Sequence, residues 1–441
     1  MNVMVIGSGG REDVISEAIH RSDKLGSLYA VMKNRNPGIA SRCEDFLLSK
    51  ETDVERVVDY ALLKKIDLAV IGPEAPLEKG IVDSLEENGI GTVGPKKIPA
   101  KIETDKSWAR QLMRDHRIEG SPEFGIFRDL EGVKEFLDDC QEVVVKPSGL
   151  TGGKGVKVVG EHLKDKRDAI TYIKEVLKRH ESVVLEEKLD GEEFTIQAFT
   201  DGKDLIPSPA VQDHKRAYEG DKGPNTGGMG SYSDNKDILP FMERRDYDDA
   251  VKILKRTLAA IREETGERYK GVLYGQFMLC RDGIKLIEYN ARFGDPEAMN
   301  TIPLLKTDLL SIFESILDER LNSLKVEHER KATVCKYVVP KGYPEDPKID
   351  TIIKISGRGR ETGKGEKSKI FYSSVDERDG KIYTTSSRSL SVVGIADTIE
   401  EAEKIAEGEL SKIEGEVFSR HDIGKESLIR KRIEHIKRLR G

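Results

Sequence analysis

Apolar runs and helical repeats alternate through the first hundred residues. "VMVIG" (Val3 to Gly7) is a short unbroken apolar run, and Val14, Ile15, Ala18 and Ile19 then recur at helical spacing. "SLYAVM" and "DLAVIG" repeat the pattern of a buried strand, with a helical stretch near 53–65 between them. Strand–helix alternation of this kind predicts a parallel sheet, with ligands gathered at the carboxyl ends of its strands. The turns expected along that edge are "GSGG", "NPG" and "GPE". Residues 1–103 form the first expected domain.

Thr104-Asp105 then caps a helix, "KSWARQLMRDH", in which Trp108 and Leu112 share a face and are expected in the core. The strands "EVVVKPS", "GVKVVG" and "VVLEEKL" follow, forming a small lid segment of about residues 120–190. A long helix is expected over about 244–265, then two strands, "GVLYGQFMLC" and "IKLIEYNARF". The second domain therefore runs from 104 to 328. The remainder, 329–441, is β-rich with a helix near 398–412. Its basic end, "KESLIRKRIEHIKRLRG", is expected to be a solvated terminal helix.

One stretch fits none of these periods. "QDHKRAYEGDKGPNTGGMGSYS" (Gln212 to Ser233) is charged, studded with glycine and almost free of apolar residues. Its composition argues against a core strand, and a loop of that length is usually functional or disordered.

Composition narrows the classes of function. The 441 residues suit about three domains at ~150 residues each, and 37% hydrophobic with 35% charged content suits a globular chain. A formal net charge of −7 exerts no global pull toward nucleic acid or an anionic membrane. No apolar run approaches the ~20 residues of a membrane span. The four cysteines are scattered with no CxxC pair, which disfavours a thiolate metal site and makes a reducing cytoplasm the expected location.

The "GSGGRE" turn is not a dinucleotide fingerprint, because Glu12 stands where the third glycine is required and no acidic residue closes the second strand. It reads instead as a turn that opens a helix and offers backbone N–H groups to an anion, such as the phosphate of a substrate. "VVVKPSGLTGGKGVKVV" is no P-loop: Ser148 and Gly155 break the pattern, and a strand follows rather than a helix. It reads as a β-loop-β flap whose glycines bring amides to phosphate oxygens, flanked by Lys146 and Lys154. Glu186 and Glu193, seven apart around "EEKLDG", are weaker candidates for reading a base and a ribose. On the strand "IKLIEYNAR", Glu288, Asn290 and Arg292 share a face, and the first two suit a hard cation. A three-residue Arg281-Asp282-Gly283 turn is expected, because it sets Gln276 opposite Glu288 and gathers three oxygen ligands.

Together these motifs resemble the ATP-grasp superfamily, and within it the glycinamide ribonucleotide synthetases, over essentially the whole chain. The Gln212–Ser233 stretch with "NARFGDPE" is the specific part; a glycine flap or a Glu-x-Asn strand alone marks only the superfamily. The resemblance implies an α/β ATP-grasp fold between a Rossmann-like N-terminal domain and a β-rich C-terminal domain. It implies ATP-dependent joining of glycine to 5-phosphoribosylamine through a glycyl phosphate, an early step of purine synthesis. ATP would be held by Lys106, Lys146, Gly152, Gly153, Lys154 and Gly155, with Glu186 and Leu189 at adenine and Glu193 at ribose. Mg²⁺, with Mn²⁺ an alternative, would sit on Glu288, Asn290 and Gln276. Arg292 would stabilise the acyl phosphate, and Asp213 and Lys215 would serve the acceptor. Asp295 and Glu297 would hold glycine, and Gly9, Gly10, Arg11, Asn36, Gly38, Pro73 and Glu74 the phosphoribosyl end. Expected partners are these small molecules alone, with a monomer admissible.

Two positions depart from the family pattern. Asp13 replaces a frequent histidine and is expected to point away from any phosphate. Gln276 stands where many ATP-grasp enzymes place a glutamate, which weakens one metal contact. Competing readings are an ATP-grasp ligase for another carboxylate, such as a carboxylase subunit, and a nucleotide-binding regulator that has lost catalysis. Against them stand the specific 212–233 stretch, the absence of a Met-Lys-Met biotin motif, and the intact Lys146, Glu288, Asn290 and Arg292.

Overall fold

The computed structural model describes residues 1–140, 142–152, 155–356 and 367–441. β1 (Asn2–Ile6), β2 (Ser27–Met32), β3 (Asp45–Leu48), β4 (Leu68–Ile71) and β5 (Gly91–Val93) form a sheet in the order β3-β2-β1-β4-β5. Every pairing in it is parallel. Val3 to Ile6 and all of β4 are buried, as apolar strands covered on both faces must be. The strand order reverses at β1, so the turns after β1 and β4 lie side by side at the sheet's carboxyl edge.

A second, separate core lies in the lid. β6 (Phe124–Phe127), β7 (Val143–Pro147), β8 (Lys157–Val158) and β9 (Val183–Glu187) form an antiparallel sheet in the order β6-β9-β7-β8. It packs through Val145, Ile173 and Leu185. The expected flap links β7 to β8, which pair Val144 with Val158. Before the lid, the Asp105 carboxylate caps the helix Lys106–Asp115 at the N–H groups of Ser107 and Trp108, and the Lys106 N–H donates to the Ser148 carbonyl of the lid at 2.7 Å. Trp108 is half-buried against the main core, with Leu112 fully inside it.

The body sheet combines β10 (Glu192–Thr200) and β11 (Leu205–Pro207) with two strands that follow the helix Arg244–Thr265. Between them the 212–233 stretch supplies β12 (Gln212–Asp213), β13 (Arg216–Tyr218), β14 (Lys222–Asn225) and β15 (Gly230–Ser233). The two later strands are β16 (Gly271–Cys280) and β17 (Gly283–Asn290), and the sheet order is β11-β10-β16-β17. Gln276 does pair with Glu288, but by another device than a three-residue turn. Cys280 pairs with Gly283, so the turn has two residues, and a bulge between Gln276 and Phe277 leaves Ile287 as the extra residue. The bulge shifts the register by one, and this puts Gln276 and Glu288 opposite each other.

The glycine-studded stretch is not excluded from the interior. β12 and β15 extend the C-terminal sheet through β18 (Ala332–Pro340), which continues into β23 (Leu390–Ala396) and then β20 (Ser368–Tyr372). The buried residues of β15 meet their polar needs through side chains rather than through apolar packing. Ser233 bonds Thr333 at 2.7 Å, Tyr232 donates to Gln212 at 2.6 Å, and Ser231 donates to Asn300. Gly230 runs so close to the carbonyl of Cys335 that a side chain would collide with it. A hydropathy pattern cannot register a strand buried in this way.

The C-terminal domain adds β19 (Ile352–Ile355), β20 (Ser368–Tyr372), β21 (Val375–Arg378), β22 (Lys381–Thr384), β23 (Leu390–Ala396), β24 (Ile413–Glu414) and β25 (Val417–Ser419). The helix Glu426–Arg440 is not merely solvated. Leu428 and Ile436 are buried, Arg432 pairs with Glu192 at 3.2 Å and with Asp221, and Arg440 pairs with Asp246 at 2.9 Å. Arg432 and Arg440 thus face acidic groups outside the helix, a match that the tail's own composition cannot reveal. Among the described residues no helix is long and apolar enough to cross a membrane.

Candidate active site

The lid, the body hairpin, the 212–233 stretch and the N-terminal sheet edge converge on one cluster of charge. Lys146, at the end of β7, is buried. Its Nζ lies 2.7 Å from Glu186 of β9 and donates to the Ile287 carbonyl at 3.0 Å. Glu186 is also gripped by Arg110, whose Nε and Nη2 donate to its two oxygens at 2.6 and 3.0 Å. Burial opposes the charge on Glu186, but the two cations hold its carboxyl below the ordinary range. Burial, with Arg110 beside it, lowers Lys146 instead. Glu186 is thus the shared counter-ion of Arg110 and Lys146. Arg110 escaped the sequence reading; its only signal is a charge at the buried-face spacing of Leu112 and Met113.

Lys106 opens its helix and donates to the Gly149 carbonyl of the flap at 3.2 Å. Gly152 has φ of +58° in an open loop, Gly155 accepts from the Tyr172 hydroxyl at 2.7 Å, and Gly153 and Lys154 lie outside the described residues. Leu189, between β9 and β10, is half-buried, and its backbone groups make no hydrogen bond among the described residues.

Lys215 donates to Gln276 Oε1 at 2.9 Å and lies 3.6 Å from Glu193, and Gln276 Nε2 donates to Glu193 at 2.5 Å. Burial disfavours the Lys215 ammonium, yet Glu193, Glu288 and Asp213 keep it more firmly protonated than an ordinary lysine. Gln276 is thereby engaged at both ends, while Glu288 and Asn290 make up the rest of the expected oxygen set. Among the described residues neither of these side chains has a hydrogen bond or ion pair. Against the cost of burial, Lys215, Lys106, Lys146 and Arg292 hold Glu288 below the ordinary carboxylate range. No group of three or more His, Cys, Asp or Glu side chains is arranged to hold a metal ion among the described residues. One carboxylate and one amide oxygen suit a hard cation that keeps several waters and is completed by phosphate oxygens. A bound Mg²⁺ or Mn²⁺ would supply charge neutralisation and polarisation of the transferred phosphoryl group.

Beyond β17 the chain crosses to the N-terminal domain. Arg292 meets Glu103 at 2.9 Å and Glu74 at 3.4 Å, and the pair outweighs the burial that opposes its charge. Burial pushes the Glu103 carboxyl up to about 7, while Arg292 and Arg11 hold Glu74 below its ordinary value. Glu103, which also accepts the Ala291 N–H at 2.6 Å, was not singled out from the sequence. Burial, then the neighbouring Glu297 carboxylate, raises Asp213 well above the usual range, and one of its oxygens is buried with no hydrogen-bond partner. Glu297 is raised by burial and accepts the Tyr274 hydroxyl at 2.8 Å. Asp295 accepts the Tyr337 hydroxyl at 2.5 Å.

The N-terminal turn lies beside this cluster: a side chain at Gly9 would stand 3.6 Å from Asp295. Two of its amides already have partners within the protein. Gly9 N–H donates to Glu12 at 2.6 Å and Gly10 N–H to Ser373 at 3.1 Å. Arg11 pairs with Glu12 and donates to the Phe293 carbonyl at 3.1 Å. Pro73 precedes the short helix begun by Glu74. Asn36 is fully buried and spends its amide on Ser8, Tyr372 and the Gly38 N–H, so Asn36 and Gly38 support the turn from within. Asp13 is bound to Arg42 at 2.5 Å and to the Tyr372 N–H at 2.7 Å.

An antiparallel lid beside a second sheet, with Lys146 of the lid, Lys106 and Lys215 gathered around a carboxylate–amide strand end, defines an ATP-grasp ligase. Three family models cover the chain: the phosphoribosylglycinamide synthetase N domain over residues 1–103, its ATP-grasp (A) domain over 104–298 and its C domain over 333–426. The chain belongs to the phosphoribosylglycinamide synthetase family. It is 56% identical to the phosphoribosylamine–glycine ligase of Methanocella arvoryzae over 441 residues, all of both chains. It is 50% identical to that of Thermococcus kodakarensis over 443 aligned residues, again all of both. The crystal structure of the Thermotoga maritima phosphoribosylamine–glycine ligase matches with a TM-score of 0.78 at 28% identity, covering 96% of this chain and 100% of that one. A biotin carboxylase domain from Hydrogenobacter thermophilus shares the fold, with a TM-score of 0.73 at 16% identity over 99% of this chain and 93% of its own.

Proposed function

We propose that the chain joins glycine to 5-phosphoribosylamine at the expense of ATP, giving glycinamide ribonucleotide, ADP and phosphate by way of glycyl phosphate. The observation that carries the reading is the meeting of Asp213, Lys215, Arg292, Asp295 and Glu297 beside the N-terminal sheet edge, largely out of reach of solvent. An acyl phosphate hydrolyses in water, so a buried polar chamber of this kind is what the chemistry requires.

Lys106 and Lys146 neutralise the polyphosphate, with the backbone at Leu189 facing the base and Glu193 the ribose. Glu288 and Asn290 hold the divalent cation. Glycine lies with its ammonium toward Glu297 and Asp295 and its carboxylate toward Arg292, which takes up charge as the carboxylate attacks the γ-phosphorus. The amine of phosphoribosylamine then attacks the carbonyl carbon of glycyl phosphate and expels phosphate, and Asp213 is placed to receive the proton that the amine sheds. The work is positioning and charge neutralisation, with no protein nucleophile. The chain would act in the cytoplasm on small molecules only.

The test is ADP release with one component omitted at a time from Mg²⁺, ATP, glycine and freshly generated phosphoribosylamine. Full release is expected only in the complete mixture, and a chelator abolishes it. Release that persists without phosphoribosylamine, or that requires another carboxylate, would overturn the substrate assignment and leave the ligase fold intact.

A further inference from the structure

Arg388 belongs to the C-terminal domain, in the turn between β22 and β23, and no reading of the site has used it. Its Nη1 donates to the carbonyls of Gly227 at 2.7 Å, Gly228 at 3.1 Å and Asp295 at 2.9 Å, and lies 3.1 Å from the Asp295 carboxylate. The guanidinium lies over the Tyr337 ring, 4.5 Å from its centre. Tyr337 in turn donates to the same Asp295 carboxylate. Arg388 itself is held in place: its carbonyl accepts the Ser374 N–H at 2.8 Å, and the next N–H, that of Ser389, donates to Val338 at 2.9 Å.

We propose that Arg388 is the positioning residue that fixes the glycine subsite, by tying the "NTGGMG" turn to the Asp295 loop from a third domain. The inference rests on the reading of Asp213, Asp295 and Glu297 as glycine and acceptor ligands. Gly227 and Gly228 have no side chain to anchor them, and Gly228 has φ of +108°. Without an outside hold their backbone samples many conformations. Gly228 packs directly against the Asp213 carboxylate and Pro296, so its position sets the spacing between the two substrate-facing loops. Stacking on the Tyr337 ring holds Nη1 where it meets carbonyls of both loops, and a lysine ammonium has no planar group to stack in this way. The same group reaches the N-terminal turn, since Tyr337 and the Gly10 N–H share the Ser373 hydroxyl, at 3.5 and 3.1 Å.

Two measurements on Arg388→Met and Arg388→Lys in the full chain test this. Hydrogen exchange of the substrate-free protein reads the amides of residues 226–230, and steady-state kinetics separates the KM for glycine from the KM for ATP. In Arg388→Met those amides are expected to exchange about tenfold faster and the glycine KM to rise about tenfold or more, with the ATP KM within about twofold, because misplaced ligands cost one to two powers of ten. Arg388→Lys is expected to recover less than half of the effect on a logarithmic scale. An unchanged glycine KM and unchanged exchange would overturn the proposal, as would a parallel rise of both KM values with a lowered melting temperature. If Arg388→Met does not fold, Tyr337→Phe keeps the ring under the guanidinium and removes one Asp295 bond; the glycine KM alone is then expected to rise about threefold, and no rise overturns the proposal. Wild-type protein lacking glycine- and phosphoribosylamine-dependent ADP release would sink the reaction assignment, while the exchange experiment would still decide the role of Arg388.

Discussion

Arg110→Met is the substitution whose outcome follows most directly from the structure. Arg110, Glu186 and Lys146 form a buried triad of two cations and one anion, and the excess positive charge faces the flap. Removing Arg110 leaves Glu186 and Lys146 as a neutral pair. Loss of one partner from a buried ion cluster costs about 3–5 kcal/mol. Relief of the repulsion between Arg110 and Lys146 returns part of it, so ~3 kcal/mol is expected, or a fall of about 10 °C in the melting temperature of the ATP-grasp body. The lost positive charge lies on the order of 8 Å from a phosphate held by Lys146, worth about 2 kcal/mol at an effective dielectric of 20 and hence a ~30-fold rise in the ATP KM. The assay pairs thermal unfolding, with and without ATP, with ATP-dependent turnover at saturating glycine. A melting temperature within about 2 °C of wild type together with an ATP KM within about twofold would refute the reasoning, since both effects lie well outside those limits. A fully active Arg110→Lys would show that the charge matters and the fork geometry does not.

Glu103 makes stability depend on pH near neutrality. Its folded value of about 7 stands above the ordinary 4.5, so its contribution is complete below 4.5 and is lost as pH rises through 7. Urea midpoints measured between about pH 5 and 8 are expected to fall with rising pH in wild type, and Glu103→Gln should flatten that slope. Asp13→Asn leaves Arg42 without its buried partner and is expected to cost about 3 kcal/mol, read as a lower melting temperature of the N-terminal domain. Gly228→Ala would put a methyl group 2.7 Å from Asp213 and Pro296 at a left-handed φ; kcat/KM is expected to fall about 100-fold with little loss of secondary structure by circular dichroism. Glu288→Gln removes the only carboxylate of the proposed metal pair and is expected to raise the Mg²⁺ concentration for half-maximal turnover at least about tenfold, read by metal titration.

The parallel N-terminal sheet was legible because apolar strands and helical periods alternate there without interruption. The flap and the Glu288–Asn290 face were legible because their spacing follows the strand repeat. The misses share one cause. β15 is buried through serine, tyrosine and glycine hydrogen bonds, so its hydropathy reads as a loop. The two-residue turn and its bulge reach the expected Gln276–Glu288 pairing by a route that chain spacing alone does not reveal. Arg110, Glu103 and Arg388 act through partners dozens to more than a hundred residues away, and Glu12 folds back to accept the Gly9 N–H of the glycine turn. Such polar contacts depend on which loops meet in space, and a linear pattern carries no record of that.

Part of what holds the 212–233 stretch comes from the far end of the chain. Arg432 reaches Asp221 across 211 positions, and Arg420 reaches the Arg216 carbonyl across 204. Contacts that close such long loops form late in folding, because the chain must lose that conformational freedom before they form. The parallel sheet and the lid can collapse on local contacts, but the substrate chamber waits for the helix Glu426–Arg440 to dock. A refolding protein should therefore regain its helical circular dichroism before it regains turnover, and the lag between the two is the time the tail takes to find Asp221.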